Sequence, residues 1–499
     1  MLLAPQDDVA VALVALQPGE QLAVGGQRVT VADPVPPGHK LALRPLCAGA
    51  TVRKYGYPIG HATAPIPEGG LVHTHNLEAG ALGPALAADV PALQRQARLA
   101  APSFSGYRRE GRRAGTRNHV AVISTVNCSA DVSLAIARLA RSEMLRNYPH
   151  VDGVCPITHA GGCGMPAGGP TYEALKRCLE GVAAHPNVAG VLVVGLGCEV
   201  MRTDVISQAC VAHKVPCRVI AIQESGGTAP AIRAGLDAAS ELLAAADTCR
   251  RTSLPLSELV VGTECGGSDA HSGITANPLL GRAGDLLMQH GVAWVLGESP
   301  ETYGAEHLLI GRARTPDVAD GLRAVMSWWE RYTAAHGATI DNNPAPGNKD
   351  GGITTVYEKA LGAVSKGGSA PLEAVLAYAQ PVTSKGLSFM DTPGMDDVSV
   401  TGLIAGGCSV IAFTTGRGSC LAAGLTPIVK IASTTALYER MRGDMDFDAG
   451  VLLTGSDLAA TAWELADSIV AVASGRRTLG EAQGLGDHSF APWDLGPTL

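Results

Sequence analysis

The chain shows two different patterns of hydrophobic and polar positions. From residue 119 onward, short runs of valine, isoleucine and leucine alternate with stretches in which apolar residues recur at helical spacing. This alternation predicts strands at Val120–Val126, Val151–Ile157, Val188–Gly195, Cys217–Ile222 and Leu256–Gly262. It predicts helices at Ala130–Asn147, Thr171–Ala184, Asp204–His213 and Thr228–Ala246. Strands separated by helices of this length indicate βαβ units, and their nearly continuous apolar content indicates a parallel sheet buried on both faces.

The first 90 residues follow the other pattern, in which short apolar runs are interrupted by glycine and proline. Runs such as Val9–Leu16 and Gln21–Val31 are typical of strands in a small β domain. Residues 91–103 are predicted as a linker. Beyond residue 265 strands and helices alternate less regularly. The predicted fold class is therefore α/β, with a small N-terminal β domain (1–90), a parallel-sheet Rossmann-like domain (104–255) and a further C-terminal α/β domain (256–499).

Charge and composition narrow the class of function and the compartment. The 499 residues include 38 basic and 46 acidic side chains, and the net charge of −8 argues against a general nucleic-acid binder. No apolar run approaches the ~20 residues of a membrane span, so no membrane partner is expected. The segment Met1–Val9 lacks the basic region of a signal peptide. The twelve cysteines include no CxxC pair, which argues against zinc ribbons, zinc fingers and thioredoxin-type motifs. Because no secretion signal is seen, we expect a reducing cytoplasm rather than a disulfide framework, and the charge leaves a homodimer open.

Four of the predicted strands run into loops that each carry a cysteine, namely Cys128, Cys163, Cys198 and Cys265. Because the carboxyl ends of parallel strands share one edge of an open sheet, where ligands bind, we expect the four thiols at one rim. Thiolates bind Fe²⁺ or Zn²⁺ and hold iron–sulfur clusters, so this rim is a candidate metal site. The residues alone leave open whether all four thiols reach one ion or some only line the pocket.

Groups that could transfer protons or bind an anion accompany these cysteines. The same loops carry His159, Glu199, Glu264, Asp269 and His271. A carboxylate beside a cation and shielded from water can act as a general acid or base. His73 and His75 would point the same way in an extended strand, which suits joint metal binding or a ligand plus a proton donor. The candidate cationic anchors for an anionic substrate are Arg108, Arg117, Lys349 and Arg417.

Several longer motifs resemble one known family. Near the N-terminus these are Gly38-His39-Lys40-Leu41-Ala42-Leu43, Val52-Arg53-Lys54-Tyr55-Gly56 and Val72-His73-Thr74-His75-Asn76. Further along they include Gly195-Leu196-Gly197-Cys198-Glu199, the segment 262–277 (GTECGGSDAHSGITAN) and Phe389-Met390-Asp391-Thr392-Pro393-Gly394. The first set resembles the SAF-type β-clip domain of altronate and galactarate dehydratases. The second set resembles the large domain of the same enzymes.

The resemblance implies a hydro-lyase that dehydrates a sugar acid related to altronate or galactarate and yields a 2-keto-3-deoxy acid. It implies Fe²⁺ as the cofactor, with Mn²⁺ or another divalent metal as a substitute. A metal suits this chemistry because the α-proton of a carboxylate is weakly acidic and the enediolate left by its removal must be stabilised.

Under this interpretation the predicted site residues divide into three sets. The metal ligands are Cys128, Cys163, Cys198 and Cys265. The proton-transfer residues are His73, His75, Glu199 and Glu264. The substrate-binding residues are Arg117, Asn127, Lys349 and Arg417.

Two other functions are compatible with the same residues. Sulfolactate sulfo-lyase is similar in build and eliminates sulfite after the same proton removal, although its small and large parts are usually separate chains. The fusion of the two parts in this chain favours the sugar-acid interpretation. The third hypothesis is a non-catalytic protein that binds a metal or a sugar acid, in which the β-clip domain would sense a ligand.

Overall fold

A computed structural model describes residues 1–80, 102–340 and 343–495. Residues 91–101 of the predicted linker lie outside these ranges. Within them, a small antiparallel β unit is followed by two α/β units with parallel sheets, which confirms the predicted fold class. No helix in the described ranges is long and apolar enough to cross a bilayer.

The N-terminal unit is built from short antiparallel strands because glycine and proline interrupt every apolar run. The strands are β1 (Val9–Val11), β2 (Gln21–Val24), β3 (Gln27–Thr30), β4 (Lys40–Ala42), β5 (Thr51–Lys54), β6 (Tyr57–Ala62), β7 (Leu71–Val72) and β8 (Leu77–Glu78). They form three small sheets in the orders β1-β4-β7, β2-β3 and β5-β6-β8. Val52, Ile59 and Val72 belong to the same hydrophobic core as Leu279 and Trp294 of the C-terminal unit. The N-terminal unit is therefore packed against the C-terminal unit.

The middle unit has a four-stranded parallel sheet in the order β11-β10-β12-β13. Its strands are β9 (Ser103–Tyr107), β10 (His119–Ser124), β11 (Gly153–Ile157), β12 (Val188–Gly195), β13 (Cys217–Ala221) and β14 (Arg251–Pro255), of which β9 and β14 form an antiparallel pair. Its helices are α1 (Ala130–Leu139), α2 (Pro170–Ala183), α3 (Thr203–Ala212) and α4 (Thr228–Ala246). The predicted helix over Ala130–Asn147 is α-helical only as far as Leu139 and continues as a π turn and a 3₁₀ turn.

The C-terminal unit is organised around a seven-stranded parallel sheet in the order β17-β18-β16-β15-β19-β20-β21. Its strands are β15 (Val260–Cys265), β16 (Ala293–Leu296), β17 (Leu372–Leu376), β18 (Gly386–Met390), β19 (Val410–Thr415), β20 (Ile428–Ala432) and β21 (Phe447–Asp448). Its helices are α5 (Ala276–Met288), α6 (His307–Ile310), α7 (Pro316–Ala335), α8 (Pro346–Asp350), α9 (Val356–Val364), α10 (Asp396–Ala405), α11 (Thr435–Arg440), α12 (Leu458–Ala473) and α13 (Leu479–Ala482). The strands are fully buried near the centre, as the nearly continuous apolar runs predicted.

The expected single rim for four thiols is not formed. Strand β15 was predicted to belong to the same sheet as β10, β11 and β12. It lies instead in the centre of the seven-stranded sheet of the C-terminal unit. Residues Leu256–Glu258, predicted to begin this strand, form a 3₁₀ turn that separates it from the middle unit. Cys265 is therefore at the edge of a different sheet from Cys128, Cys163 and Cys198. The periodicity predicted the strand but not the sheet in which it pairs.

Buried neutral histidines stabilise the middle unit and its contact with the C-terminal unit. His185 Nε2 lies 3.1 Å from the Cys408 carbonyl oxygen, and His185 Nδ1 accepts a hydrogen bond from the Asn187 amide at 3.1 Å. His159 has the same arrangement, with the Ser124 carbonyl at Nε2 and the Gly161 amide at Nδ1. These partners hold both rings as the Nε2–H tautomer, because a proton on Nδ1 would face an amide donor. His159, a sequence candidate for proton transfer, is thus engaged on both nitrogens.

Acidification is expected to destabilise the fold through these histidines. Burial lowers the pKa of His119 and of His159 to about 4 and that of His185 to about 3. Below pH ~6.5 these histidines become protonated in the unfolded chain but stay neutral in the folded chain. The free energy of unfolding therefore decreases as the pH drops from ~6.5 towards 4. We expect the urea midpoint to decrease over this range and His185→Gln to flatten the decrease. An unchanged midpoint between pH 7 and pH 5 would contradict the burial of neutral rings.

Candidate active site

A buried cluster of ionisable side chains lies at the carboxyl edge of the seven-stranded sheet. Cys265 ends β15, and Glu298 and Glu301 follow β16. The Cys265 Sγ atom lies 3.5 Å from Glu298 Oε1 and 3.4 Å from Glu301 Oε2. Among the His, Cys, Asp and Glu side chains of the described ranges, Cys265, Glu298 and Glu301 form a group of three whose possible ligand atoms all lie within 4.8 Å of one another. They constitute a candidate metal-binding site.

Two lysines hold the other oxygens of the two carboxylates. Lys366 Nζ donates to Glu298 Oε2, and Lys359 Nζ donates to Glu301 Oε1 at 2.6 Å. Each glutamate therefore has one oxygen bound by an ammonium group and the other directed at the sulfur. This arrangement fixes both carboxylates without using the oxygens that face Cys265.

The cluster carries more negative than positive charge. Glu264 and Asp396 lie close to the same groups, so four carboxylates face two ammonium groups, a net charge of −2 when all are ionised. Burial and the neighbouring Glu298 hold the pKa of Glu264 well above its usual range. Burial raises the pKa of Glu298 to about 7, and burial together with Glu301 raises that of Asp396 to about 6. A divalent cation would compensate this charge.

Two local features of the cluster indicate a functional site rather than a structural ion-pair network. Glu264 Oε2 accepts a hydrogen bond from Ser399 at 2.7 Å, whereas Oε1 is buried without a partner in the described part of the chain. Glu298 has a left-handed backbone conformation with φ of 65°, which is strained for a residue other than glycine. An orphaned buried carboxylate oxygen and a strained residue both cost free energy, and both are typical of sites that bind a ligand.

An open cleft of about 760 Å³ lies beside this cluster at the same edge of the sheet. Its lining includes Asp269, His271, Arg417, Thr434 and Arg440, together with Pro37 of the N-terminal unit. Asp269 also lines a small cavity of about 10 Å³ whose other lining residues include Cys265 and Lys359. Asp269 therefore lines both the cleft and the small cavity that reaches the cluster. Two arginines make the cleft suitable for an anion.

Asp269 and His271 form a pair at the inner end of the cleft. Asp269 Oδ2 lies 3.5 Å from His271 Nδ1, and Asp269 Oδ1 accepts hydrogen bonds from the Ser272 amide at 2.8 Å and the Ser272 hydroxyl at 3.0 Å. Burial by itself would raise the pKa of Asp269, but the contacts with His271 and Ser272 lower it below its usual value. A carboxylate behind a cleft histidine orients the ring for proton transfer.

The N-terminal unit is held against this site by buried charges. Lys40 Nζ and Lys54 Nζ contact Glu358 at 2.9 and 2.7 Å, and all three side chains are almost fully buried. Although burial would raise it, the two ammonium groups lower the pKa of Glu358 far below its usual range. His73 Nε2 lies 3.0 Å from the Lys349 carbonyl oxygen, next to Asp350 and Gly351 of the cleft. The cleft is thus closed on one side by the N-terminal unit.

Most of the predicted site residues occupy three separate places. Glu264 and Cys265 lie in the buried cluster, Arg417 lines the cleft, and Lys349 and His73 lie next to it. Asn127, Cys128, Cys163, Cys198 and Glu199 lie together at the carboxyl edge of the four-stranded sheet in the middle unit. The structure therefore does not unite Cys265 with the other three cysteines, for the reason of sheet pairing given above.

The guanidinium group of Arg117 has no hydrogen-bond donor left to bind a substrate. Its guanidinium donates to Glu481 Oε1 at 2.6 Å and Glu481 Oε2 at 2.8 Å. Its remaining donors bind the carbonyl oxygens of Thr116, Val472 and Arg476. All five N–H groups are used, so the structure gives Arg117 the role of joining the middle and C-terminal units.

The two histidines His73 and His75 do not form the expected extended pair. Strand β7 ends at Val72, and residues 73–76 form a turn in which the His73 amide donates to Asn76 Oδ1 at 2.9 Å. His73 is partly buried against His39, with ring centroids 5.1 Å apart, whereas His75 is exposed. Burial lowers the pKa of His73. The alternation rule fails here because the asparagine side chain favours a turn over a strand.

Comparison with known proteins identifies the family. Three family models match consecutive parts of the chain: the altronate/galactarate dehydratase SAF domain over 1–80, the D-galactarate dehydratase/altronate hydrolase second domain over 106–247, and the D-galactarate/altronate dehydratase C-terminal model over 256–498. The chain belongs to the D-galactarate/altronate dehydratase family. This confirms the family predicted from the motifs.

Three relatives show how much of the chain the sequence similarity covers. The altronate dehydratase of Escherichia coli (strain K12) is 37% identical over 95% of both chains. The galactarate dehydratase (L-threo-forming) of the same organism is 34% identical over 89% of this chain and 87% of its own. The (2R)-sulfolactate sulfo-lyase subunit beta of Chromohalobacter salexigens is 31% identical over 77% of this chain and 95% of its own.

The sequence reasoning missed most of the buried cluster of this dehydratase-family chain. Glu298, Glu301, Lys359, Lys366 and Asp396 were not among the predicted residues. Glu298 could have been found, because it follows the short apolar run Val292–Leu296, which is typical of a buried strand, at the ligand-binding edge of a parallel sheet. The lysines carry no such signal, since they reach the cluster from helix α9 and the turn after it.

Proposed function

We propose that this protein is a metal-dependent hydro-lyase that dehydrates an aldonate or aldarate sugar acid to a 2-keto-3-deoxy acid. The observation that carries the proposal is the pairing of a negatively charged thiol–carboxylate cluster with an arginine-lined cleft, the two being connected through Asp269, which lines the cleft and the small cavity at Cys265. Two of the relatives are named as sugar-acid dehydratases, and one of them, an altronate dehydratase, aligns with 95% of this chain and 95% of its own.

The donor set of the cluster suits a divalent transition metal. Cys265 offers a thiolate, and Glu298 and Glu301 each offer one carboxylate oxygen that faces it. A mixed sulfur and oxygen set is compatible with Fe²⁺, and carboxylates also accept Mn²⁺. When bound, such a metal supplies Lewis-acid stabilisation of the negative charge that develops on the substrate. The orphaned Glu264 oxygen is available as a further ligand or as a proton acceptor.

The residues of the cleft account for the remaining needs of the reaction. Arg417 and Arg440 provide positive charge for a substrate carboxylate. We assign proton transfer to His271, because it lines the cleft and Asp269 supports it from behind. His73 is a second candidate from the N-terminal unit. Its Nε2 is already hydrogen-bonded to Lys349, and His75 remains a prediction from the motif alone.

A panel of substrates tests the proposal. Protein purified without oxygen and supplied with Fe²⁺ is incubated with altronate, galactarate, other aldonates and aldarates, and sulfolactate. Release of a 2-keto acid from a sugar acid supports the dehydratase. Sulfite release from sulfolactate alone would instead favour the carbon–sulfur lyase, and no turnover of any acid would support a binding protein.

Substitution in the cleft should weaken substrate binding more than it slows the chemistry. We expect Arg417→Gln to raise KM by about 10-fold or more with a smaller change in kcat, because it removes one charge-assisted contact. Arg442→Gln is the matched control, since Arg442 pairs with exposed Glu439 and does not line the cleft. Equal KM values for both variants would exclude Arg417 as the anchor.

A further inference from the structure

Three exposed cysteines at the edge of the four-stranded sheet have no part in the proposed dehydratase site. Cys128 lies just after β10, Cys163 follows β11 and Cys198 follows β12. In the sheet these three strands are direct neighbours, in the order β11-β10-β12. Among the hydrogen bonds of the described residues, their sulfurs take part in one, from Gln223 Nε2 to Cys198 Sγ at 3.8 Å. The three thiols are therefore free to bind a ligand at one rim.

Backbone contacts lock the three cysteine loops together. The Asn127 amide donates to the Gly161 carbonyl at 3.0 Å, which joins the loops of Cys128 and Cys163. The Val200 amide donates to the Gly162 carbonyl at 3.0 Å, which joins the loops of Cys163 and Cys198. Glu199 accepts hydrogen bonds from Thr125 at 2.7 Å and from the Gly197 amide at 2.6 Å. The rim is thus organised before any ligand binds.

Glycine is required for this close approach of the loops. A Cβ atom on Gly162, in the loop of Cys163, would lie 2.2 Å from the Thr125 carbonyl oxygen and 2.7 Å from the Val126 Cα atom, which precede Cys128. Gly162 and Gly197 also have positive φ angles of 98° and 128°. Three loops brought this near to one another by glycine, each presenting an exposed thiol, form a built site rather than a chance grouping.

At least one pair of these thiols lies further apart than one tetrahedral ion would hold them. Three thiolates on one tetrahedral Zn²⁺ would stand about 3.8 Å apart, given Zn–S bonds of ~2.3 Å. Within the described ranges, Cys128, Cys163 and Cys198 are not a group with ligand atoms all within 4.8 Å of one another. Neighbouring strands are ~4.8 Å apart, so the ends of three adjacent strands extend over roughly 10 Å. A rim of this width can accommodate more than one metal ion.

We propose that Cys128, Cys163 and Cys198 hold an iron–sulfur cluster, separate from the metal site at Cys265. Iron–sulfur clusters are held by cysteine thiolates, and iron and inorganic sulfide are the components that assembly requires. In a four-iron cluster three thiolates leave one iron without a protein sulfur. That iron is open to solvent or to an oxygen ligand. The cluster is predicted independently of the dehydratase reaction, and its test does not rely on turnover.

The test is anaerobic reconstitution with Fe³⁺, sulfide and a thiol that reduces part of the iron to Fe²⁺, followed by removal of unbound reagents. Iron and acid-labile sulfide per chain are then measured, together with the electron paramagnetic resonance spectrum after reduction. We expect the wild-type chain to retain sulfide and to show a cluster signal. Cys128→Ser, Cys163→Ser and Cys198→Ser should each lose both, with unchanged circular dichroism spectra.

Two controls make the outcome specific. Cys47→Ser replaces another exposed cysteine, in the N-terminal unit, and should retain the cluster. Cys265→Ser should also retain it, because Cys265 lies at the edge of the other sheet. A wild-type chain without sulfide, bound zinc in place of iron, or full sulfide content in the three rim variants would overturn the proposal. A protein with the cluster but no dehydratase activity would refute only the proposed function.

Discussion

Replacing Cys265 with serine is expected to abolish metal binding at the buried cluster and to lower sugar-acid dehydration by at least about 100-fold. Loss of supporting contacts around a metal already costs 10–100-fold, and a direct ligand is worth more. Serine retains the size of the side chain but offers a hydroxyl that stays protonated at neutral pH. The substitution leaves the pairs of Glu298 with Lys366 and of Glu301 with Lys359 intact.

Binding is measured by titrating Mn²⁺ into metal-free protein and observing free Mn²⁺ by electron paramagnetic resonance, and turnover is measured by 2-keto acid formation. Cys408→Ser is the matched control, because Cys408 is a second fully buried free cysteine of the same unit. The control should change Mn²⁺ affinity and turnover less than ~3-fold. Tight Mn²⁺ binding and full turnover in Cys265→Ser would remove the cluster from the mechanism.

Replacing Glu358 with glutamine is expected to destabilise the fold by about 3–5 kcal/mol, because it leaves buried ammonium groups without their counterion. Glu358 is the shared partner of Lys40 and Lys54, and it also accepts hydrogen bonds from Thr354. The pair of contacts joins strands β4 and β5 of the N-terminal unit to helix α9. The loss should therefore loosen the N-terminal unit from the cleft.

Urea unfolding at pH 7 measures this effect. Glu373→Gln is the control, since Glu373 pairs with the more exposed Arg314 and its loss should cost no more than about 1 kcal/mol. Adding Lys40→Met to Glu358→Gln should recover part of the stability, because one uncompensated charge is removed. Equal midpoints for Glu358→Gln and Glu373→Gln would show that the buried charges do not join the two units.

Some parts of the fold follow directly from local pattern. Strand β12 and helix α4 have the predicted bounds, because long apolar runs and a clear helical period leave few alternatives. Helix α1 was predicted too long, since the helical period continues through the π turn that follows it. The turn at residues 73–76 was missed because one asparagine side chain outweighs the alternation of its neighbours.

The sequence by itself determined the family, the fold class and the placement of cysteines after parallel strands. These features depend on motifs and on apolar runs that are local in the chain. The tertiary structure alone decided which strands share a sheet, and so divided four cysteines into a rim of three and a buried Cys265. It also brought Lys359 and Lys366 to Glu301 and Glu298, contacts between residues 58 and 68 positions apart. The pairing of parallel strands and the burial of charged side chains depend on packing between residues far apart in the sequence, and local periodicity does not predict this packing.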